Sequence, residues 1–512
     1  MPGILPAGFI FFRYRIFLLR NSTPLRIRVE NCALRGKMML PSHKTKIVCT
    51  IGPASESQGV LEEMLLAGMN VARINFSHGD FESHKKMIET VRAAARSTGR
   101  SVAVMADLPG PKIRIGPLES EPIELNQGDE FILTSEDVPG NAKRVSVPLA
   151  TLPQAVRPGD PVFLNDGYIQ LKVVTIEKNE IHCRVLVGGE LRSRKGLNLP
   201  GIDLGVSAFT EHDRKCLEFA LREGVDAVSQ SFVQSAADIE AVRQSASGLG
   251  YDPFIIAKIE RARALDNIDG ILAAADGLMI ARGDLGVETP IERIAPVQKE
   301  LMKKANLIGK PVITATQMLE SMTSNRRPTR AESTDVANAV LDGTDCVMLS
   351  AESAMGRYPV ESVAMLGKIA AAAEPFMGDT PARQYIKTSV PRTPSRLSDL
   401  ITFSVSAVVD RVCPAAVFVP TKSGATARSM TRFRLPVWIV AVSRHRNTCQ
   451  RLHFSYGVHP VHELDHPDDW KSFARNWLNT NGLPGNLAVV TEGPSMKYPE
   501  GNHRMELVNL SD

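Results

Sequence analysis

FIIAKIERARALDNIDGILAAADGLMIARGDLG, residues 254–286, contains one complete repeat of the fold. An apolar run over 254–260 leads into a helix-length amphipathic segment, and a second apolar run follows over 277–286. Hydrophobicity in these runs is continuous rather than alternating, as expected of parallel strands covered on both faces. Each run ends in charge: Lys258-Ile259-Glu260 in the first, Arg282-Gly283-Asp284 in the second.

Moving outward, comparable runs occur at 46–52, 70–77, 101–110, 227–233, 311–317 and 346–353, giving eight in all. Helix-length segments separate them. One, 211–223, sets Cys216, Leu217, Phe219, Ala220 and Leu221 around one face, and Pro290 opens another over 291–308. Eight β-α units predict a closed (β/α)8 TIM barrel. About a hundred residues after the third run break the rhythm with short β-like pieces at 122–134, 161–165, 169–176 and 181–187, punctuated by Gly and Pro. These predict an all-β insert standing over the barrel mouth as a lid. Beyond a Pro- and Thr-rich linker at 379–396, a further α/β alternation starts: helices at 397–410, 426–433 and 447–453, strands at 415–420, 437–442 and 457–461. The expected division is a basic extension at 1–43, a barrel at 44–110 and 204–375, a lid at 111–203 and a C-terminal α/β domain at 376–512.

The chain's 512 residues carry a net charge of +4. Seven basic residues against the single acid Glu30 put +6 in residues 1–40, leaving about −2 for the rest. The basic character thus belongs to an N-terminal arm, and a nucleic-acid partner has little support. The arm reads either as an organellar transit segment or as a start placed too early, with the chain opening at Met38 or Met39, the reading favoured here. The seven cysteines form no CxxC pair, which argues against a disulfide framework or zinc site and for a reducing cytoplasm. No apolar run is long enough to span a membrane.

Barrel enzymes take their catalytic groups from the C-terminal ends of the strands. Here those ends bring Arg73, Asn75, Ser77 and His78, then Asp107, Ser231, Lys258, Glu260, Arg282, Asp284, Thr316 and Gln317. Any one could be a solvated loop residue, but at least five strands delivering polar groups to one rim is hard to explain that way, because buried charge is costly unless paired or bound. Glu260 and Asp284 on adjacent strands suit a hard divalent cation. Arg73 and Lys258 suit phosphate oxygens, and Gly283, read as opening a loop before a helix, lets backbone N–H groups approach an anion. Together they point to phosphoryl transfer or enolate chemistry.

Long stretches resemble the pyruvate kinase family: NVARINFSHG (70–79), IIAKIE (255–260), MIARGDLGVE (279–288), ATQMLESM (315–322), RPTRAE (327–332) and DVANAVLDGTDCVML (335–349), with 50–55 and KGLNLPG (195–201) beside them. The resemblance is dense over 44–375 and looser beyond. It implies transfer of the phosphoryl group of phosphoenolpyruvate to ADP, giving pyruvate and ATP in glycolysis. It further implies Glu260 and Asp284 as ligands of Mg2+, for which Mn2+ would substitute, and Lys258 as the stabiliser of the transferring group. Arg73 and Ser231 would bind substrate with Lys258 and Asp284, Gly283 would receive its carboxylate, and Thr316 would stand by the enolate. Asn75, His78 and Arg114 would approach the nucleotide. Family members often carry a glutamate where this chain has Lys112, and use K+ at a site matching Asn75, Ser77, Asp107 and the Leu108 carbonyl. The expectation is that the Lys112 ammonium replaces K+, which is then not strictly required. A loop at Thr421, Lys422, Ser423, Gly424 and Thr426 could take an effector sugar phosphate, or its hydroxyls could simply cap a helix. A homotetramer is also implied. The rival readings are a metal-dependent pyruvate-enolate lyase or aldolase on the same barrel, and a catalytically silent sugar-phosphate sensor.

Overall fold

The computed structural model describes residues 40–202, 204–388, 397–493 and 503–511. Most of the basic arm, including Met38 and Met39, lies outside the described residues, as do residues 389–396 of the expected linker, whose first part instead forms a helix, Pro381–Thr388.

Eight parallel strands close into a barrel: β1 (Lys46–Thr50), β2 (Val71–Asn75), β3 (Ala103–Leu108), β4 (Ala227–Gln230), β5 (Phe254–Ile259), β6 (Gly277–Ala281), β7 (Val312–Ala315) and β8 (Cys346–Leu349). Neighbours around the ring are neighbours in sequence, and β8 pairs with β1. The continuous apolar runs are explained by two separate cores. Val48, Met105, Ile256, Met279 and Met348 fill the lumen, while Ile47, Val104, Ile255 and Ile280 pack outward against the helices. Phe454, from the C-terminal domain, plugs the lumen floor and stacks on Phe254 at 5.5 Å between ring centroids.

Several boundaries differ from the sequence reading. The run at 277–286 stops at Ala281, and a helix, Arg282–Glu288, follows with no loop between. The run at 346–353 likewise ends at Leu349. Behind Pro290, Ile291–Arg293 is a 3-10 turn before the helix Ile294–Leu307 begins.

The insert leaves the barrel after Gly110, whose φ of +65° and close approach to Phe232 and Ser231 suit only glycine. It forms a six-stranded sheet and a two-stranded ribbon around its own core, centred on Phe131 and Leu171. The piece at 122–134 is two strands, Ile123–Leu125 and Glu130–Thr134, because Asn126 and Asp129 close a turn between them. The C-terminal domain is a five-stranded sheet. It contains a helix, Trp470–Asn481, and two strands, Leu487–Glu492 and Arg504–Asn509, that the sequence reading did not assign. It docks on the barrel floor through a buried Arg434–Asp345 ion pair at 2.8 Å and through Lys46, whose ammonium donates to the Val458 carbonyl at 2.7 Å.

Candidate active site

Strand register brings the polar residues at the barrel rim into contact. Thr50 on β1 stands opposite Arg73 on β2, and Asp107 on β3 stands between Asn75 on β2 and Ser229 on β4. Arg73 therefore donates from Nη1 to Thr50 Oγ1 at 2.7 Å and from Nε to Asp107 Oδ2 at 3.0 Å, with a further short contact from Nη2 to Asp107. Ser229 donates to the other Asp107 oxygen at 2.5 Å. A guanidinium has five N–H groups, so Arg73 keeps donors over for an anion. Neither Thr50 nor Ser229 was singled out as a site residue in the sequence reading; their partners are apparent only once the strands are in register.

Lys258 joins this group to the next strands. Its ammonium lies 2.9 Å from Glu260 Oε1, 3.3 Å from Asp107 and 2.6 Å from Ser231 Oγ. Ser231 in turn donates to the Leu108 carbonyl at 2.7 Å. Lys258, Asp107 and Glu260 are all buried. Burial opposes the Lys258 charge, but Asp107 and Glu260 outweigh it and hold the ammonium above the ordinary lysine range. Burial likewise opposes the Asp107 carboxylate, and Lys258 and Arg73 pull it below the usual range. Glu260 is displaced upward, by burial first and by repulsion from Asp284, against the pull of Lys258. Its second oxygen accepts the Phe232 N–H at 2.8 Å, from a residue held at φ +56°.

Across the rim, Gly283 donates its N–H to Thr316 Oγ1 at 2.8 Å, and that hydroxyl donates to the Ala315 carbonyl at 2.7 Å. Thr316 and Gln317 both have positive φ, +69° and +55°. For a β-branched residue that is a strained backbone, of a kind concentrated at functional sites. Lys112 reaches toward Asp284, 3.6 Å from its Oδ1, with both side chains about a third exposed. The sequence reading set Lys112 among Asn75, Ser77, Asp107 and Leu108, whereas its carboxylate partner among the described residues is Asp284. Ser77 and His78 lie exposed beyond β2, where Asn75 Oδ1 accepts the Ser77 N–H at 3.1 Å. Arg114 lies on the lid, exposed, donating to the Arg194 carbonyl at 3.0 Å.

Far from this rim, in the C-terminal domain, the Thr421 hydroxyl accepts the Gly424 N–H at 2.9 Å and Ser423 Oγ accepts the Ala425 N–H at 3.4 Å. Lys422 and Ser423 are exposed, and the Lys422 carbonyl accepts from Thr448 at 2.7 Å. Two of the loop's hydroxyls are thus engaged in local hydrogen bonds at the start of the helix, while Lys422 is exposed.

Residues 42–363 match the family described as pyruvate kinase, barrel domain, and residues 399–506 match its alpha/beta domain. The chain belongs to the pyruvate kinase family. A pyruvate kinase of Thermococcus litoralis is 49% identical over 429 residues, covering 83% of this chain and 89% of that protein. One from Geobacillus stearothermophilus is 42% identical over 479 residues, covering 92% and 81%. The crystal structure of a pyruvate kinase from Cryptosporidium parvum superposes with a TM-score of 0.85 at 37% identity, covering 92% of this chain and 97% of that one. As a member of the pyruvate kinase family the chain is an enzyme, a phosphotransferase, built on the barrel, inserted sheet and C-terminal α/β domain described above. No helix among the described residues is long and apolar enough to cross a membrane.

Proposed function

We propose that Arg73, Lys258, Glu260, Asp284 and Thr316 carry out phosphoryl transfer from phosphoenolpyruvate to ADP. The observation that carries this reading is the buried Arg73–Asp107–Lys258–Glu260 network at the rim. It holds two cations, Arg73 and Lys258, in a buried site, where fixed charge acts most strongly on a transferring phosphoryl group. In the reaction the bond from phosphorus to the enol oxygen breaks while an ADP oxygen bonds to phosphorus. The enolate released then takes a proton at its methylene carbon. Lys258 and Arg73 hold and neutralise the phosphoryl oxygens. Ser231 and Asp107 fix Lys258, and Thr50 and Asp107 fix Arg73. Gly283 receives the substrate carboxylate beside the Thr316 hydroxyl, to which its N–H is bonded. Thr316 stands at the enolate face. Asn75, His78 and Arg114 meet the nucleotide, the last from the lid.

The donor set fits Mg2+. Among the described residues no group of three or more metal-ligating side chains gathers, and Glu260 and Asp284 offer hard oxygens whose mutual repulsion a cation relieves. Mg2+ commonly takes one or two carboxylates and completes its shell from water and phosphate oxygens. When bound there it would neutralise developing charge on the phosphoryl oxygens. The direct test is Mn2+ binding followed by electron paramagnetic resonance. Affinity falling at least tenfold in both Glu260→Gln and Asp284→Asn supports the pair as ligands, and unchanged binding overturns it.

Lys112 supplies at the rim the positive charge that K+ would supply, a reading supported by its ammonium standing beside Asp284. Action in the cytoplasm fits the cysteines, since all six described stand as free thiols. A homotetramer and a sugar-phosphate effector at the 421–426 loop complete the proposal. Both rest on the family resemblance, with the exposed Lys422 beside the loop's hydroxyls in favour of the second.

A further inference from the structure

Arg282 is a charged residue at the rim without a role in the reaction above, yet its side chain is largely buried and every nitrogen is engaged. Its Nη1 and Nη2 grip the two Asp335 oxygens at 2.7 and 2.6 Å, a fork-to-fork pair across 53 positions of sequence. Nη2 also donates to the Thr316 carbonyl at 2.9 Å, and Nε to the Ala315 carbonyl at 3.3 Å. Gln298 Oε1, at 3.4 Å from Nη1, and Met318 Sδ, at 2.9 Å from Nη2, close the shell.

The two carbonyls it holds, of Ala315 and Thr316, lie on either side of the strained Thr316. Thr316 and Gln317 both occupy the left-handed region, which a β-branched residue adopts only when its surroundings over-determine it. The next residue after Arg282 holds the same turn from its other side, Gly283 N–H bonding to the Thr316 hydroxyl. Side chain 282 and backbone 283 thus fix the carbonyl and the hydroxyl of one residue. Asp335 sets the plane of the guanidinium and offsets its charge, so that both carbonyls are met in one orientation. A lysine ammonium, compact and without a planar fork, cannot serve both carbonyls and both carboxylate oxygens together.

We infer that Arg282, oriented by Asp335, is a positioning residue that holds Thr316 in its strained conformation and so sets the hydroxyl at the enolate face. This rests on the role of Thr316 proposed above. Arg282 touches no reacting atom; it acts through the Thr316 backbone. A misplacement of the order of 1 Å at a reacting group costs roughly a hundredfold in rate, which sets the scale expected when the clamp is loosened.

The test is solvent-deuterium exchange into the methyl group of pyruvate, with ATP and Mg2+ present, in the full-length protein. In this partial reaction one C–H bond of pyruvate breaks and a C–D bond forms, with no net oxidation and no phosphoryl transfer completed. Arg282→Lys and Asp335→Asn are expected to slow exchange by roughly tenfold to a hundredfold. The KM for ADP should be unchanged and the melting temperature within a few degrees of wild type. If Asp335→Asn melts far lower, Arg282→Lys, which keeps the charge, carries the test. In a Thr316→Ala background Asp335→Asn should slow exchange no further, since both act on one group. Exchange at the wild-type rate in both single variants overturns the clamp, and so does an undiminished Asp335→Asn effect in the Thr316→Ala background. Wild-type exchange in Thr316→Ala itself places the error in the role of Thr316 and removes the clamp's purpose. A wild-type protein that makes no pyruvate from phosphoenolpyruvate and ADP places the error in the phosphotransferase chemistry instead.

Discussion

Lys112 Nζ lies 3.6 Å from Asp284 Oδ1, joining the first residues of the lid to the barrel rim. Both groups are about a third exposed, so the pair contributes little to stability, on the order of 0.2–1 kcal/mol. Its consequence is for cation use. Lys112→Glu removes the ammonium and sets a second acid beside Asp284. We expect that variant to lose most activity in K+-free buffer and to regain much of it when K+ is added. Wild type should work in both. Initial rates in tetramethylammonium chloride against KCl decide it, and a wild type that falls to near zero without K+ would rule out Lys112 as the substitute.

Lys258→Met takes the shared cation from Asp107, Ser231 and Glu260. Turnover should fall by roughly 10²–10³, as on removing one preorganised donor. Two buried carboxylates are also left with less compensation, so the melting temperature should drop. Measuring kcat alongside circular dichroism separates the two effects, and a folded variant with near-normal kcat would contradict the role given to Lys258.

Thr50→Val tests an interaction absent from the sequence reading. The Arg73 Nη1 donor loses its acceptor at 2.7 Å in a buried setting, a cost of about 1–3 kcal/mol. The KM for phosphoenolpyruvate should rise several-fold while the KM for ADP stays put. Equal changes in both constants would show that Thr50 does not act through Arg73.

Acid should loosen the C-terminal domain from the barrel floor. Burial, with Lys46 and His459 nearby, pulls His453 down to about 3, and burial with Lys46 does the same to His459. Arg92 adds to the effect on His453, and Arg100 to that on His459. His453 shares a 2.8 Å hydrogen bond with Ser101 on the barrel side. An unfolded histidine titrates near 6.5. Between there and about 3 the unfolded chain binds more protons than the folded one, so stability is complete above pH 6.5 and falls as pH drops. The slope is about 1.4 kcal/mol per pH unit for each histidine well below 6.5. Denaturant unfolding at pH 7.5, 6.0 and 5.0 should show this loss, and His453→Gln should flatten it. An unaltered slope would show that His453 does not contribute.

The barrel was legible because its strands are buried on both faces and therefore read as unbroken apolar runs. Lys258 and Glu260 stood out for the same reason, as charges at the end of such a run. Thr50 and Ser229 did not, since small hydroxyls sit comfortably in any strand and acquire partners only through register with Arg73 and Asp107. The Arg282–Asp335 pair is a contact across distant sequence. The positive φ of Phe232, Thr316 and Gln317 falls on residues that local preference would keep out of that region. In the lid, the turn at Asn126–Asp129 splits what composition alone presented as one strand. The helix Trp470–Asn481, with Trp470, Ala474, Trp477 and Leu478 on its buried side, was readable from its spacing and went unassigned.

The most direct measurement is pyruvate formation from phosphoenolpyruvate by the purified protein, with ADP and Mg2+ each present or omitted. The account predicts turnover only with both, and one ATP formed per pyruvate. Pyruvate released without ADP, or none under any combination, would contradict it.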